Sequence, residues 1–369
     1  MKILYAASVI SHINNFHLPY IEALRQEGHT VLTMARGAGA DIDIPFEKSM
    51  TSPKNLSNIR RIRKILKEER FDAVMLNTSL AAFLIRAAMP KKNRPKVLNI
   101  VHGYLFYRGG KGMRNRILLF CERVCRKKTD AVLTMNREDE LIARESRLCL
   151  GKIYTTRGFG VRIKLPTEAR EDVRGRLGCT DSYLLAFVGE LSGRKNEELL
   201  ISALPKLAER IPEIKLCLVG SGAEEEKLKN QAKALGVCDR VIFTGQVSDP
   251  QNYVAAADLY VSASRIEGLP FNIVEAMGEE RTVLASDIKG HVDIIRDGRD
   301  GYIFPLGDID ALTEKVVKIH SGELSLNPRE ISARAMEFSF SEVFSDTLGC
   351  MCDFLCDADG KADRKAKRQ

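Results

Sequence analysis

The chain has 369 residues, 44% of them hydrophobic, which is too many for one ordinary core and about right for two domains. Its formal charge of +8 is unevenly spread: residues 1–165 hold 31 Lys+Arg against 14 Asp+Glu, a net of +17, leaving −9 for residues 166–369. No apolar run is long enough to cross a bilayer, and the opening MKILYAASVISHINNF lacks a signal peptide's cleavage site and reads as a first buried strand.

In chain order, KILYAA, HTVLTMA, DAVMLN, KVLNIVHG, DAVLTM and KIYTTRG read as buried strands separated by polar segments of helical period. The same grammar resumes with YLLAFVG, IKLCLVG, RVIFTG, LYVSAS, TVLASD and YIFPL. Near-continuous apolar strands alternating with helices predict parallel sheets covered on both faces, and two such series predict two doubly wound α/β domains. The stretch GVRIKLPTEARED (160–172) marks the break. We expect one domain over 1–163 and another over 164–340, facing across a cleft. A helix over 341–358 should pack back on the N-terminal domain, and a basic, disordered tail should occupy 359–369. Two basic runs, 59–70 and 108–128, account for much of the first half's charge. Each alone reads as a solvated helix face; together they point to an anionic partner. No nucleic-acid motif appears, and few aromatics interleave the basic runs. Nine cysteines at irregular spacings, with no C-x-x-C pair, read as reduced thiols of a cytoplasmic protein.

In open parallel sheets ligands bind beyond the carboxyl ends of strands, so the strand-to-helix turns are where chemistry is expected. FVGELSGRKNEELL turns at Gly189 and brings Arg194 and Lys195 to a helix N-terminus, a setting suited to an anion. LVGSGAEEEKL supplies Gly220 and Gly222, and FTGQVSDPQNY ends its strand at Gly245. In LYVSASRIEGLPFNIVEAMGEE, Glu267 sits on the turn, and Gly268 and Pro270 set the start of a helix whose Phe271, Val274 and Met277 face inward. Glu275, amid apolar neighbours on that helix, reads either as a partly exposed helix residue or as a carboxylate accepting both hydrogen bonds of a ribose diol. The D-x-D at Asp41–Asp43 reads as a solvated loop rather than a metal site. INNFHLPY, after the first strand, reads as a loop carrying His12, Asn14, Asn15 and His17.

Taken together, SRIEGLPFNIVEAM with two glutamates eight positions apart, VGELSGRKN, VHGYLFYRGGKGMRN and SHINNFHLPYIEALRQEGHTV resemble glycosyltransferase family 4, a family of retaining enzymes of the GT-B fold. The resemblance is to bacterial enzymes of capsular polysaccharide and exopolysaccharide synthesis. It implies that Glu275 binds the ribose of a sugar nucleotide, most often a UDP-sugar. Lys195, with Arg194, would meet the diphosphate. Glu267 and the backbone of Gly268, Leu269, Pro270 and Phe271 would lie by the donor sugar. His102 would contact that sugar from the first domain, and the turns at Gly189, Gly220, Gly222 and Val247 would border the nucleotide. Where the family often has arginine after the first of these glycines, this chain has Glu190, for which Arg194 could substitute; AMGEERTVLAS likewise departs from a small-Gly-Pro turn.

The expected activity is therefore transfer of a sugar from a sugar nucleotide to a lipid-diphosphate-linked saccharide at the inner face of the bacterial cell membrane. The protein would sit peripherally on that anionic membrane surface and need neither cofactor nor metal. His12, Asn14, Asn15 and His17 are candidate acceptor contacts. Two other readings stand beside this one: a non-catalytic donor-binding or scaffold subunit, and a sugar-nucleotide epimerase of similar shape.

Overall fold

The computed structural model describes residues 1–47, 52–90 and 92–366, with side chains as far as Asp357. The chain divides into two compact units, one of Met1–Phe159 with Val343–Gln369, the other of Gly160–Glu342. The division thus falls inside the last helix and just before the polar stretch 160–172.

The first unit is built on a seven-stranded, all-parallel sheet in the order β3-β2-β1-β4-β5-β6-β7. Its strands are β1 (Lys2–Val9), β2 (Thr30–Arg36), β3 (Ile42–Asp43), β4 (Ala73–Leu76), β5 (Lys96–Val101), β6 (Ala131–Thr134) and β7 (Ile153–Thr155). β4 and β6 are buried along their whole length, as expected for strands covered by helices on both faces. Leu4, Val74 and Leu76 pack against Ile62, Leu66, Leu84 and Ile85 of the covering helices. Asp41 and Asp43 are exposed, as expected, but the stretch is not all loop: Ile42 and Asp43 form the edge strand β3. Asp41 Oδ2 accepts from the Thr33 amide (2.8 Å) and hydroxyl (2.7 Å), and Asp43 Oδ1 accepts from the Gly37 amide (3.0 Å). The carboxylates serve the fold. INNFHLPY is likewise no loop but parts of two helices, Ile10–Phe16 and Leu18–Gln26, with Pro19 in the first turn of the second, where its missing N–H costs nothing.

The C-terminal helix Phe340–Ala366 lays Met351, Phe354 and Leu355 into the first unit. Thr347 Oγ1 donates to Gly158 O (2.8 Å), and Lys152 pairs with Asp353 and Asp357. The stretch expected as a disordered tail continues this helix to Ala366. Its Ala, Lys and Arg are good helix formers and no proline interrupts them. Residues 367–369 lie outside the described residues.

The second unit has a six-stranded parallel sheet in the order β10-β9-β8-β11-β12-β13. The strands are β8 (Tyr183–Val188), β9 (Ile214–Val219), β10 (Val241–Gly245), β11 (Leu259–Ser262), β12 (Val283–Ser286) and β13 (Tyr302–Phe304). The order reverses between β8 and β11, and the turns after these two strands carry most of the expected donor residues. Among the described residues no helix is long and apolar enough to cross a membrane.

Candidate active site

Backbone contact fixes the turns of the second unit. A Cβ on Gly220 would lie 2.0 Å from Gly189 O, and one on Gly222 would lie 2.1 Å from Leu191 O, so only glycine lets these two turns touch. Beyond Gly189 the chain reaches Asn196, whose left-handed backbone (φ 61°) opens the helix Glu197–Arg210. Asn196 Nδ2 donates to Ala263 O (3.0 Å), and its Oδ1 accepts from Arg265 Nη2 (2.6 Å). The Arg265 amide donates to Arg194 O (2.8 Å). These bonds tie the turn after β8 to the turn after β11.

The tie brings Glu267 between two cations. Its Oε1 is 2.8 Å from Lys195 Nζ and accepts from Ser264 Oγ (2.9 Å), while its Oε2 is 2.8 Å from Arg194 Nη1. The Glu267 side chain is 8% exposed and that of Lys195 10%. Burial works to raise the Glu267 carboxyl, but Lys195 and Arg194 outweigh it and hold the group below the usual carboxylate range. Behind the cluster, the fully buried His291 donates through Nδ1 to Ser286 O (2.8 Å), and burial lowers its pKa to about 4. Arg194 therefore meets Glu267, and Glu190 is exposed.

Glu275 stands on the helix Phe271–Gly278, whose buried face is Ile273, Val274, Ala276 and Met277, with the expected Phe271 only partly buried. Its carboxylate makes no hydrogen bond or ion pair among the described residues. It lines a pocket of about 270 Å³ with Val188, Val247, Pro250, Val254 and Lys164. Burial raises its pKa, and Lys164 only partly offsets that. A carboxylate without a hydrogen-bond partner, in a pocket also lined by Gln246, Ser248, Gln251, Asn272 and Glu279, suits a ligand that brings two hydroxyl donors.

In the first unit the sequence had placed His12, His17 and His102 separately; the fold brings them together, one ring nitrogen of each within 4.8 Å of the others. His12 and His102 are partly buried, His17 wholly so, and Asn14 and Asn15 are exposed. Desolvation lowers the pKa of all three histidines, that of His12 to about 4. Tyr5 and Asn77, which the sequence did not single out, bond to His17 and His102. Arg265, Asn196 and Ser264 were also missed; the S-R pair before Glu267 was their one sequence signal.

Two family models match the chain, "Glycosyltransferase Family 4" over residues 20–144 and "Glycosyl transferases group 1" over residues 170–336. A curated relative, "Putative glycosyltransferase EpsD" of Bacillus subtilis (strain 168), is 32% identical over 339 residues, 88% of each chain. The chain belongs to glycosyltransferase family 4. Another relative of this family 4 glycosyltransferase is the UDP-Gal:alpha-D-GlcNAc-diphosphoundecaprenol alpha-1,3-galactosyltransferase of Escherichia coli, 25% identical over 72% of this chain and 70% of that protein. Among solved structures, HepE of Anabaena with UDP and glucose superposes with a TM-score of 0.74 at 19% identity, covering 96% of this chain and all of that one. Sucrose-phosphate synthase of Thermosynechococcus elongatus superposes at 0.75 and 19%, covering 98% of this chain and all of that one. These likenesses give the glycosyltransferase its fold class, GT-B, with two parallel-sheet α/β domains.

Proposed function

We propose that this family 4 glycosyltransferase moves a sugar, with retention at the anomeric carbon, from a UDP-sugar to a lipid-diphosphate-linked saccharide in the synthesis of a cell-surface polysaccharide or glycolipid. The observation that carries the reading is the unpartnered Glu275 carboxylate in its pocket, in the same unit as the Lys195–Arg194–Glu267 cluster. Glu275 accepts the two ribose hydroxyls, the base lies against Val247, Pro250 and Val254, and the diphosphate runs to Lys195 and Arg194, bordered by the turns at Gly189, Gly220 and Gly222. Glu267 holds the two cations in place and, with the backbone of Gly268–Phe271, adjoins the donor sugar. The galactosyltransferase relative, by its name, uses UDP-Gal and a diphosphoundecaprenol acceptor, which supports this choice of donor and acceptor classes.

During transfer the bond from the anomeric carbon to the diphosphate breaks and a bond to the acceptor oxygen forms on the same face. Glu267 is engaged on both oxygens, so it is poorly placed to act as a nucleophile or base. The acceptor proton passes to the departing phosphate oxygen. Lys195 and Arg194 stabilise the charge developing on the leaving group, a contribution of about 3–4 kcal/mol per preorganised contact, and in this reading no metal takes part in the transfer step. On the first unit, His102 is the residue to which the family resemblance gives a contact with the transferred sugar, and His12, Asn14 and Asn15 are assigned to the acceptor; His17, expected there too, is wholly buried against Tyr5 and does not reach it.

The membrane part of the reading rests on the helix Met113–Cys125. Arg86, fully buried, clamps Glu122 of this helix through two 2.8 Å bonds. Met113, Ile117, Phe120 and Val124, spaced along one face, are exposed, as are Arg114, Arg116, Arg123, Arg126 and Lys127 around them. An apolar stripe flanked by arginines fits the interface of an anionic bilayer. The test is to incubate the protein with a panel of sugar nucleotides and a lipid-diphosphate saccharide and read the anomeric configuration of the product by NMR. A product of retained configuration, with activity lost in Glu275→Ala, is expected. An inverted product, or no donor turned over, would overturn the reading.

A further inference from the structure

We propose that His12, His17 and His102 form a zinc site on the first unit. Among the described residues this is the one group of three His, Cys, Asp or Glu side chains that converges closely enough to hold an ion. His12 Nε2 and His102 Nε2 are 3.4 Å apart. That matches the edge, about 3.4 Å, of a tetrahedron whose centre lies about 2.0–2.1 Å from each nitrogen, the Zn–N distance. The remaining ligand atom is already within 4.8 Å of both, so a modest shift of one ring completes the triangle.

Hydrogen bonding alone leaves the cluster incomplete. His102 Nε2 also lies 3.1 Å from Asn77 Oδ1, so the single N–H it can carry serves either Asn77 or His12. His17 Nδ1 is occupied by the Tyr5 hydroxyl at 2.9 Å. His17 Nε2 is buried and has no hydrogen-bond partner. A buried nitrogen left without a partner is destabilising, and a bound cation removes that cost. The donor set of three imidazoles and no thiolate is that of a zinc site with an open fourth position, for which Asn77 Oδ1, already beside His102, is a candidate oxygen donor. The Tyr5 hydroxyl on His17 Nδ1 is the outer contact that fixes the ring's tautomer and orientation.

One consequence rests on the proposed function, although the site itself does not. If His12 and His102 face the acceptor and the transferred sugar, zinc occupies them in place of the sugars, and added zinc slows transfer without displacing the nucleotide.

The test uses the full chain, stripped with a chelator and dialysed against zinc chloride, with cobalt(II) as a spectroscopic probe of the ligands. We expect one equivalent of metal and no sulfur-to-cobalt charge-transfer band, which separates this site from the nine free cysteines. Affinity should fall more than about a hundredfold in His12→Ala and in His102→Gln, and about tenfold to a hundredfold in Tyr5→Phe. It should be unchanged in His320→Ala. Circular dichroism melts of the two partly buried histidine variants check that they fold. Absence of a bound equivalent, a thiolate band, or full affinity in folded His12→Ala and His102→Gln would each overturn the proposal.

Discussion

Replacing Lys195 with methionine keeps most of the side chain's volume and removes one of the two cations on Glu267. Both partners are close to fully buried, at 10% and 8% exposure, so the pair is little screened by solvent. Breaking a buried ion pair from one side costs about 3–5 kcal/mol, because the remaining charge is left without compensation. Here Arg194 and Ser264 still hold Glu267, which puts the expected loss near the lower limit, about 3 kcal/mol. Adding Glu267→Gln removes the stranded charge, so the double variant should be more stable than the two single losses predict, with a coupling of roughly 1–3 kcal/mol. Native-state hydrogen exchange read by mass spectrometry suits the measurement, since the chain has no tryptophan and divides into two compact units whose peptides are read separately. Protection should fall in peptides covering residues 183–278 and stay constant in those covering residues 2–101. A loss under about 1 kcal/mol in every variant, with no coupling, would mean that the cluster behaves as an exposed pair does, and the account of Glu267 as the anchor of two cations would fail.

Four other outcomes follow from the same structure. A UDP-sugar or UDP at a hundred times its Kd should stabilise the wild type by about 2.7 kcal/mol and leave Glu275→Ala unchanged in a thermal-shift measurement; an equal shift in both would remove Glu275 from the nucleotide. Gly222→Ala drives a Cβ into Leu191 O and should cost about 1–3 kcal/mol or more, whereas Gly193→Ala, with open space around its Cβ, should cost much less; equal melting temperatures would refute the close contact. His291 is buried neutral with its pKa lowered to about 4, so its contribution is complete above about pH 6.5 and is lost as pH falls towards 4, by on the order of 3 kcal/mol. Melting curves of wild type and His291→Gln should therefore converge with acidification, and parallel pH profiles would refute this. Finally, Ile117→Glu with Phe120→Glu should abolish flotation with anionic vesicles at low salt while leaving the fold intact; unchanged flotation would exclude this helix as the docking face.

Strands β1, β2 and β4–β13 were legible mostly as short apolar runs between polar segments, which is what burial on both faces requires; β5 and β9 carry Asn99 and Lys215 within the run, and the edge strand β7 has no buried residue. β3 was not, because two residues carry no period and pair only through an edge. INNFHLPY reads as a loop, though it belongs to the helices Ile10–Phe16 and Leu18–Gln26, because Asn14, Asn15 and Pro19 are turn formers elsewhere and no side chain caps either start. Within the site, Glu267, Glu275 and Lys195 could be named from local motifs. That Glu267 binds Lys195 and Arg194 could not, since the partners lie more than seventy positions apart. The same holds for His12 and His102, ninety apart, which only the stacking of β1, β4 and β5 brings into contact.

The glycines at 220 and 222 also bear on how such an enzyme can change. Two strand-end turns that meet main chain to main chain hold their spacing whatever side chains they carry. Side chains on them, such as Glu190, Ser192 and Ser221, can then be exchanged while the frame stays in register. A lineage built this way can diversify its substrates by replacing side chains singly, with most of the constraint concentrated at positions that have no side chain to replace.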